Sequence, residues 1–256
     1  MKKMFFVCLA LIFIFGCVET KKIDYSIYYN SLSNEYLIGK YDSEEKVKAI
    51  EDNQNASTLD MFEAGIFYLY SCYGSIKVLN FTPDKEKSIV EKSIALFDKA
   101  YKNEPKNAYI LAFKGAAYLY YCKWGTVLEK VVNGRKGEQS INYAIKILPS
   151  DIQLRNIRAN SFAYLPIEYY PESPNTVLKD SDFIINNIEK DKAKYSSIFG
   201  EKLTDYYYYN ALLFKAIVNY KMGNPKEAAE YSAKIPKDSE PYIQLKTFLK
   251  TIEEEE

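Results

Sequence analysis

The chain has 256 residues, 48% hydrophobic and 27% charged, which is enough to bury a core and too apolar for a disordered polypeptide. Lys plus Arg and Asp plus Glu both number 34, and this neutral balance argues against a nucleic-acid partner. There is no His, which excludes a Ser-His-Asp triad, a Cys-His pair and every zinc site that uses His, while 10 Gly and 9 Pro argue against many-turned β sandwiches.

The N-terminus reads as an export signal: Lys2 and Lys3, an apolar run from Met4 to Phe15, then Gly16 before Cys17. The run is too short to span a bilayer comfortably. Ile14-Phe15-Gly16-Cys17 resembles a bacterial lipobox, although Phe15 stands where Ala or Ser is usual. The resemblance implies cleavage before Cys17 and lipidation of its sulfur; the competing reading is an uncleaved signal anchor. The expected organisation is a signal peptide over 1–16, a tether and N-terminal segment over 17–56 and a helical domain over 57–256. Localisation follows as the cell envelope, lipid-anchored to a bacterial membrane. Cys72 and Cys122 remain for the body, too few for a disulfide scaffold.

Taken in order, helices are expected at Tyr25 to Ile38, Ser43 to Glu51, Ser57 to Ile76 and Asp84 to Asn103. Asn107 to Lys123 and Arg135 to Leu148 follow. Asp151 to Tyr164 should pair with Asn175 to Lys190 across a loop at Tyr169 to Pro174. Leu203 to Met222 should pair with Pro225 to Lys234, and Glu240 to Glu254 should cap the end. Ser150-Asp151, Thr58 and Pro225 supply helix-start chemistry. Period-2 alternation is nearly absent, so no sheet is expected.

Gly65-Ile66-Phe67-Tyr68-Leu69-Tyr70-Ser71-Cys72 and Gly115-Ala116-Ala117-Tyr118-Leu119-Tyr120-Tyr121-Cys122 match as G-x-x-Y-L-Y-x-C. Each precedes a second amphipathic segment that closes on Ala (Ala100, Ala144) and then Pro (Pro105, Pro149). A compact third copy runs through Leu212, Ala216, Tyr220, Gly223, Ala228 and Pro241. This pattern resembles the tetratricopeptide repeat (TPR), a helix-turn-helix unit of about 34 residues. The first two copies carry inserted residues at their turns, Ser75 to Asp84 and Thr126 to Gly134. Pro149, Arg155, Arg158, Ala159, Leu165 and Pro166 also resemble an uncharacterised group of exported bacterial TPR-like proteins. The resemblance implies an all-α, right-handed stack of antiparallel helical hairpins.

In TPR arrays the first helix of each pair lines a concave groove. The resemblance places Phe62, Ile66, Tyr70, Tyr109, Tyr120, Tyr220 and Lys221 there. Ala112 and Ala116 stand where carboxylate-clamping grooves carry polar residues, so that activity is not implied. The first two lining helices are apolar nearly all round, which requires a cover: the N-terminal segment, a second copy of the chain, or a ligand. The chain has three arginines, and Arg155 and Arg158 lie at i and i+3. They suit either a structural ion pair with acids such as Asp180, Asp182 or Glu129 or an anion site, the former being the commoner use. No catalytic residue, metal site or cofactor is expected. The expected role is binding of a protein or peptide partner, with membrane contact through the N-terminal lipid and homo-oligomerisation left open. A small apolar ligand is the alternative, as in the TPR subunits that accompany some TRAP-type transporters. An enzyme working with paired carboxylates alone is a third class, to which no feature points.

Overall fold

The computed structural model describes residues 24–38, 44–53, 55–73 and 83–255. Cys17 and the signal segment lie outside the described residues. Twelve helices are found among the described residues, and no strand. They are α1 (Tyr25–Ile38), α2 (Glu44–Asp52), α3 (Thr58–Cys72), α4 (Pro83–Asn103), α5 (Ala108–Tyr121), α6 (Val127–Ile147), α7 (Ile152–Ala163), α8 (Ser173–Lys190), α9 (Lys192–Phe199), α10 (Glu201–Lys221), α11 (Pro225–Ser232) and α12 (Glu240–Glu255).

Local chemistry starts the helices where the sequence marks them. Ser57 accepts a hydrogen bond from the Asp60 amide while the Asp60 carboxylate accepts from the Ser57 amide, a complete capping box. Asn107 caps α5 and Asp151 caps α7 through their side-chain oxygens. Gly223, at φ +77°, takes the left-handed conformation that closes α10 and turns the chain into α11.

Consecutive helices pack as pairs: α3 with α4, α5 with α6, α7 with α8, α10 with α11. The first pair is antiparallel, with Asn103 reaching Thr58 at one end and Cys72 lying against Glu86 at the other. Further contacts of α4 on α5, α5 on α7 and α8 on α10 join the pairs into one body. The architecture is all-α and consistent with a helical-hairpin stack.

Close approach of the pairs depends on missing side chains. A Cβ on Gly65 would lie 2.7 Å from the Phe97 ring. A Cβ on Gly115 would lie 2.5 Å from Ile141 and 2.6 Å from the Gly137 carbonyl oxygen, so α5 and α6 cross almost backbone to backbone. Phe62, Phe97 and Phe113 meet beside this layer with ring centroids 5.6–6.2 Å apart. Both described cysteines are free and half-buried.

Three expectations need correction. The second helix of the second pair starts at Val127, eight residues before Arg135, because Thr126 and Glu129 form a capping box there. Ser173 and Pro174 belong to the first turn of α8 rather than to a loop, since Pro is preorganised for that position. The short helix α9 was not anticipated; Asp191 caps it by accepting from the Lys194 amide.

Candidate functional site

The face formed by the first helices of the pairs is covered by α1. Its residues Tyr25, Tyr29 and Leu32, at i, i+4 and i+7, are each at most 5% exposed. The Tyr25 ring packs edge-on against Phe62, and the Tyr29 ring packs against Phe113 and Tyr109. Polar contacts run alongside. The Tyr29 and Tyr70 hydroxyls are 2.5 Å apart. Tyr25 donates to Glu104 Oε1 at 2.9 Å, Tyr28 donates to Glu63, and Ser26 donates to Gln153 Oε1 at 3.3 Å.

Below this layer lies a polar relay between helices. The Tyr109 hydroxyl sits 2.7 Å from Asp151 Oδ2 and 2.8 Å from Gln153 Oε1, and its single proton serves one of them at a time. Gln153 Nε2 donates to the Tyr207 hydroxyl at 3.0 Å. Burial raises the Asp151 pKa against the lowering effect of its hydrogen bonds, and the nearby charge of Asp24 adds to the rise. Burial likewise pushes Tyr109 and Tyr207 far above the usual phenol range.

The residues assigned to an open groove are dispersed. Phe62, Ile66 and Tyr109 are buried in the core, which closes them to a partner while α1 is seated. Tyr70 is half-buried against Tyr29. Tyr120 lies at the far end of α5, where its hydroxyl donates to the Cys72 carbonyl and Lys123 stacks 3.8 Å over its ring. Lys221 donates to the Ala163 and Leu165 carbonyls at the end of α7, where burial lowers its pKa. It is a helix cap, favoured by the negative end of the α7 dipole.

Arg155 and Arg158 form the structural ion pair. Both bind the fully buried Asp180 at 2.6 Å, and Arg155 also lies 4.0 Å over the Phe183 ring. The remaining guanidinium nitrogens donate to the Pro149 carbonyl and to Asn142, so all six have a protein acceptor.

Tyr220 belongs to a different surface. It lines an apolar cleft of about 660 Å³ between α10, α11 and α12, with Ala216, Ile235, Leu245, Phe248 and Leu249. Tyr25, Tyr28 and Tyr29, on none of which a site role is expected from the sequence pattern, fill this face. Their spacing with Leu32 was the available signal. Among the described residues, no group of three or more Cys, Asp or Glu is placed to hold a metal ion, and no helix is long and apolar enough to cross a membrane. No family model, no curated protein and no solved structure matches the chain.

Proposed function

We propose that the chain is an exported, lipid-anchored binding module: a TPR-like stack of helical hairpins that holds a protein or peptide partner on its concave face at the bacterial cell envelope. The observation that carries this reading is α1 itself. A helix already sits across α3, α5, α7 and α10 through aromatic packing and hydroxyl bonds to Glu104, Glu63 and the Gln153 amide oxygen, so the face has the shape and acceptors of a helix receptor. The export reading rests on Lys2, Lys3, the Met4 to Phe15 run and Gly16-Cys17.

Two measurements test it. Cys17→Ser should abolish metabolic labelling with palmitate and leave the full-length precursor; persistent label would remove the lipid anchor. A photocrosslinking residue at position 70, in native membranes, should yield a discrete adduct that a control position at Val132 does not. Absence of an adduct at position 70 counts against the binding module.

The apolar cleft favours a second reading, a ligand-binding component similar to the TPR subunits that accompany TRAP-type transporters. Its volume of about 660 Å³ falls in the range of small-molecule pockets. On this reading an apolar fluorescent probe binds the purified chain, and Phe248→Asp abolishes that binding.

A further inference from the structure

We infer that the open side of α6 is a membrane-surface site: its aliphatic side chains enter the acyl boundary of an anionic bilayer while the helix lies along the headgroups. The site stands on α6 and its surroundings; only the reach of the Cys17 lipid rests on the reading of the chain as lipid-anchored.

Helix α6 packs along α5 through Gly137 and Ile141 and touches α7 over a short stretch. On the other side of its first two turns stand Val127, Leu128, Val131 and Val132, at i, i+1, i+4 and i+5. They are 74%, 73%, 41% and 45% exposed. Single exposed aliphatic residues are ordinary, but four on neighbouring positions of one helix form a contiguous apolar patch, the mark of a contact surface.

The surroundings of the patch select a lipid surface. Trp124, the single tryptophan of the chain, stands three residues before Val127, half-buried against the rings of Tyr120 and Tyr121. Tryptophan and tyrosine favour the boundary between water and acyl chains. Lys123, Lys130, Arg135 and Lys136 are exposed around the patch, and Glu129 is the one acid between positions 123 and 136, in a chain whose charges balance overall. Glu129 is engaged by the Thr126 amide, and Lys123 also bridges to Glu86. An aliphatic centre with a basic rim is the composition of a helix that lies in the membrane interface, and each Lys or Arg near an anionic surface adds to the attraction. A second copy of the chain fits less well. Pairing the patch with itself about a two-fold axis sets Lys123 of one copy beside Lys136 of the other.

The tether reaches. Helix α1 starts beside Glu104 and Gln153, at the end of the stack where α5 begins. α5 has 14 residues, so α6 starts about 21 Å further along. The stretch from Cys17 to Asp24 spans at most about 25 Å when extended. A lipid on Cys17 and the α6 patch can therefore meet one bilayer surface, and the patch fixes the orientation of a body that the tether alone leaves free to swing.

The test uses the full chain on vesicles of phosphatidylcholine and phosphatidylglycerol brominated along the acyl chains. Bromine quenches tryptophan at close range, Trp124 is the one reporter, and the signal segment, which lacks Trp, is silent. Trp124 emission should be quenched on these vesicles, and less so on brominated phosphatidylcholine alone. Leu128→Asp with Val131→Asp should lower the ratio of inserted to lifted α6 at least about tenfold. That variant should keep the wild-type helical signal and melting midpoint, since both positions face water. Arg135→Glu with Lys136→Glu should reduce quenching on the anionic vesicles only. Absent quenching, or quenching that survives Leu128→Asp with Val131→Asp, overturns the inference. A lower melting midpoint in that variant overturns it too, because the patch is then covered by the chain itself. So does a wild-type dimer, seen by sedimentation without vesicles and lost in the variant, which assigns the patch to a second copy. Quenching that persists when palmitate fails to label Cys17 supports the membrane site and removes only the lipid anchor.

Discussion

Gly115 is the residue on which the closest helix crossing depends. A side chain there meets the Gly137 carbonyl oxygen, which belongs to backbone and cannot step aside. Gly115→Leu should therefore overpack the α5–α6 pair and cost about 1–3 kcal/mol, read as a lower midpoint in thermal unfolding by circular dichroism. Gly65 faces the Phe97 ring, itself fully buried against Phe62 and Phe113, so the same change there should also destabilise the α3–α4 pair. Cys72 and Cys122 illustrate a quieter role for a polarizable group. Both are free, and burial pushes the Cys72 thiol up to about 12, so it behaves as a small apolar side chain near neutral pH.

Helix α6 shows what an element owes to its cap. Its first two turns expose Val127 at 74% and Leu128 at 73%, so little tertiary packing holds them. The Thr126 capping box is the main local support. Thr126→Ala should cost about 1 kcal/mol. The loss should appear as faster amide hydrogen exchange over residues 127–134, with little change in global melting. This element also marks the limit of reading from sequence. The pairs α3–α4, α7–α8 and α10–α11 were legible because their apolar residues recur at helical spacing and Pro or Ser-Asp marks their edges. The start of α6 was not, since its apolar residues point to solvent and Gly134 and Gly137 interrupt the register. The i, i+3 spacing put Arg155 and Arg158 on one face with Asp180, Asp182 and Glu129 as candidate acids, and only the fold selects Asp180. The occupant of the groove was harder. The spacing of Tyr25, Tyr29 and Leu32 marks a helix with one buried stripe, but only the fold says that the stripe lies against Phe62, Phe113 and Tyr109.

At the scale of the whole molecule, buried phenols set the response to alkali. Tyr25, Tyr29, Tyr70, Tyr73, Tyr109, Tyr120, Tyr206 and Tyr207 all have raised pKa values, with burial the largest cause in each. The unfolded chain loses these protons near pH 10, whereas the folded one retains them to higher pH. Above about pH 10 the unfolded state therefore binds fewer protons, and the tyrosine contribution to stability, level below that point, falls as pH rises. Tyrosinate absorbance should show an exposed subset titrating first and the rest only with loss of the helical signal. A single reversible titration of all 25 tyrosines near pH 10 would contradict the buried network. The reach of α1 also bears on the order of assembly. The hairpins close between neighbours in the chain, but α1 bonds to Gln153 and to the Ile198 carbonyl, 127 and 168 residues away. Contacts that distant form late, after the loop-closure entropy of the intervening chain has been met. Helix α1, which precedes the hairpins in the chain, thus docks after them. On the lipoprotein reading, the stretch around Cys17 would reach the processing enzymes while the helix beside it is still undocked, and maturation of the N-terminus would precede closure of the groove.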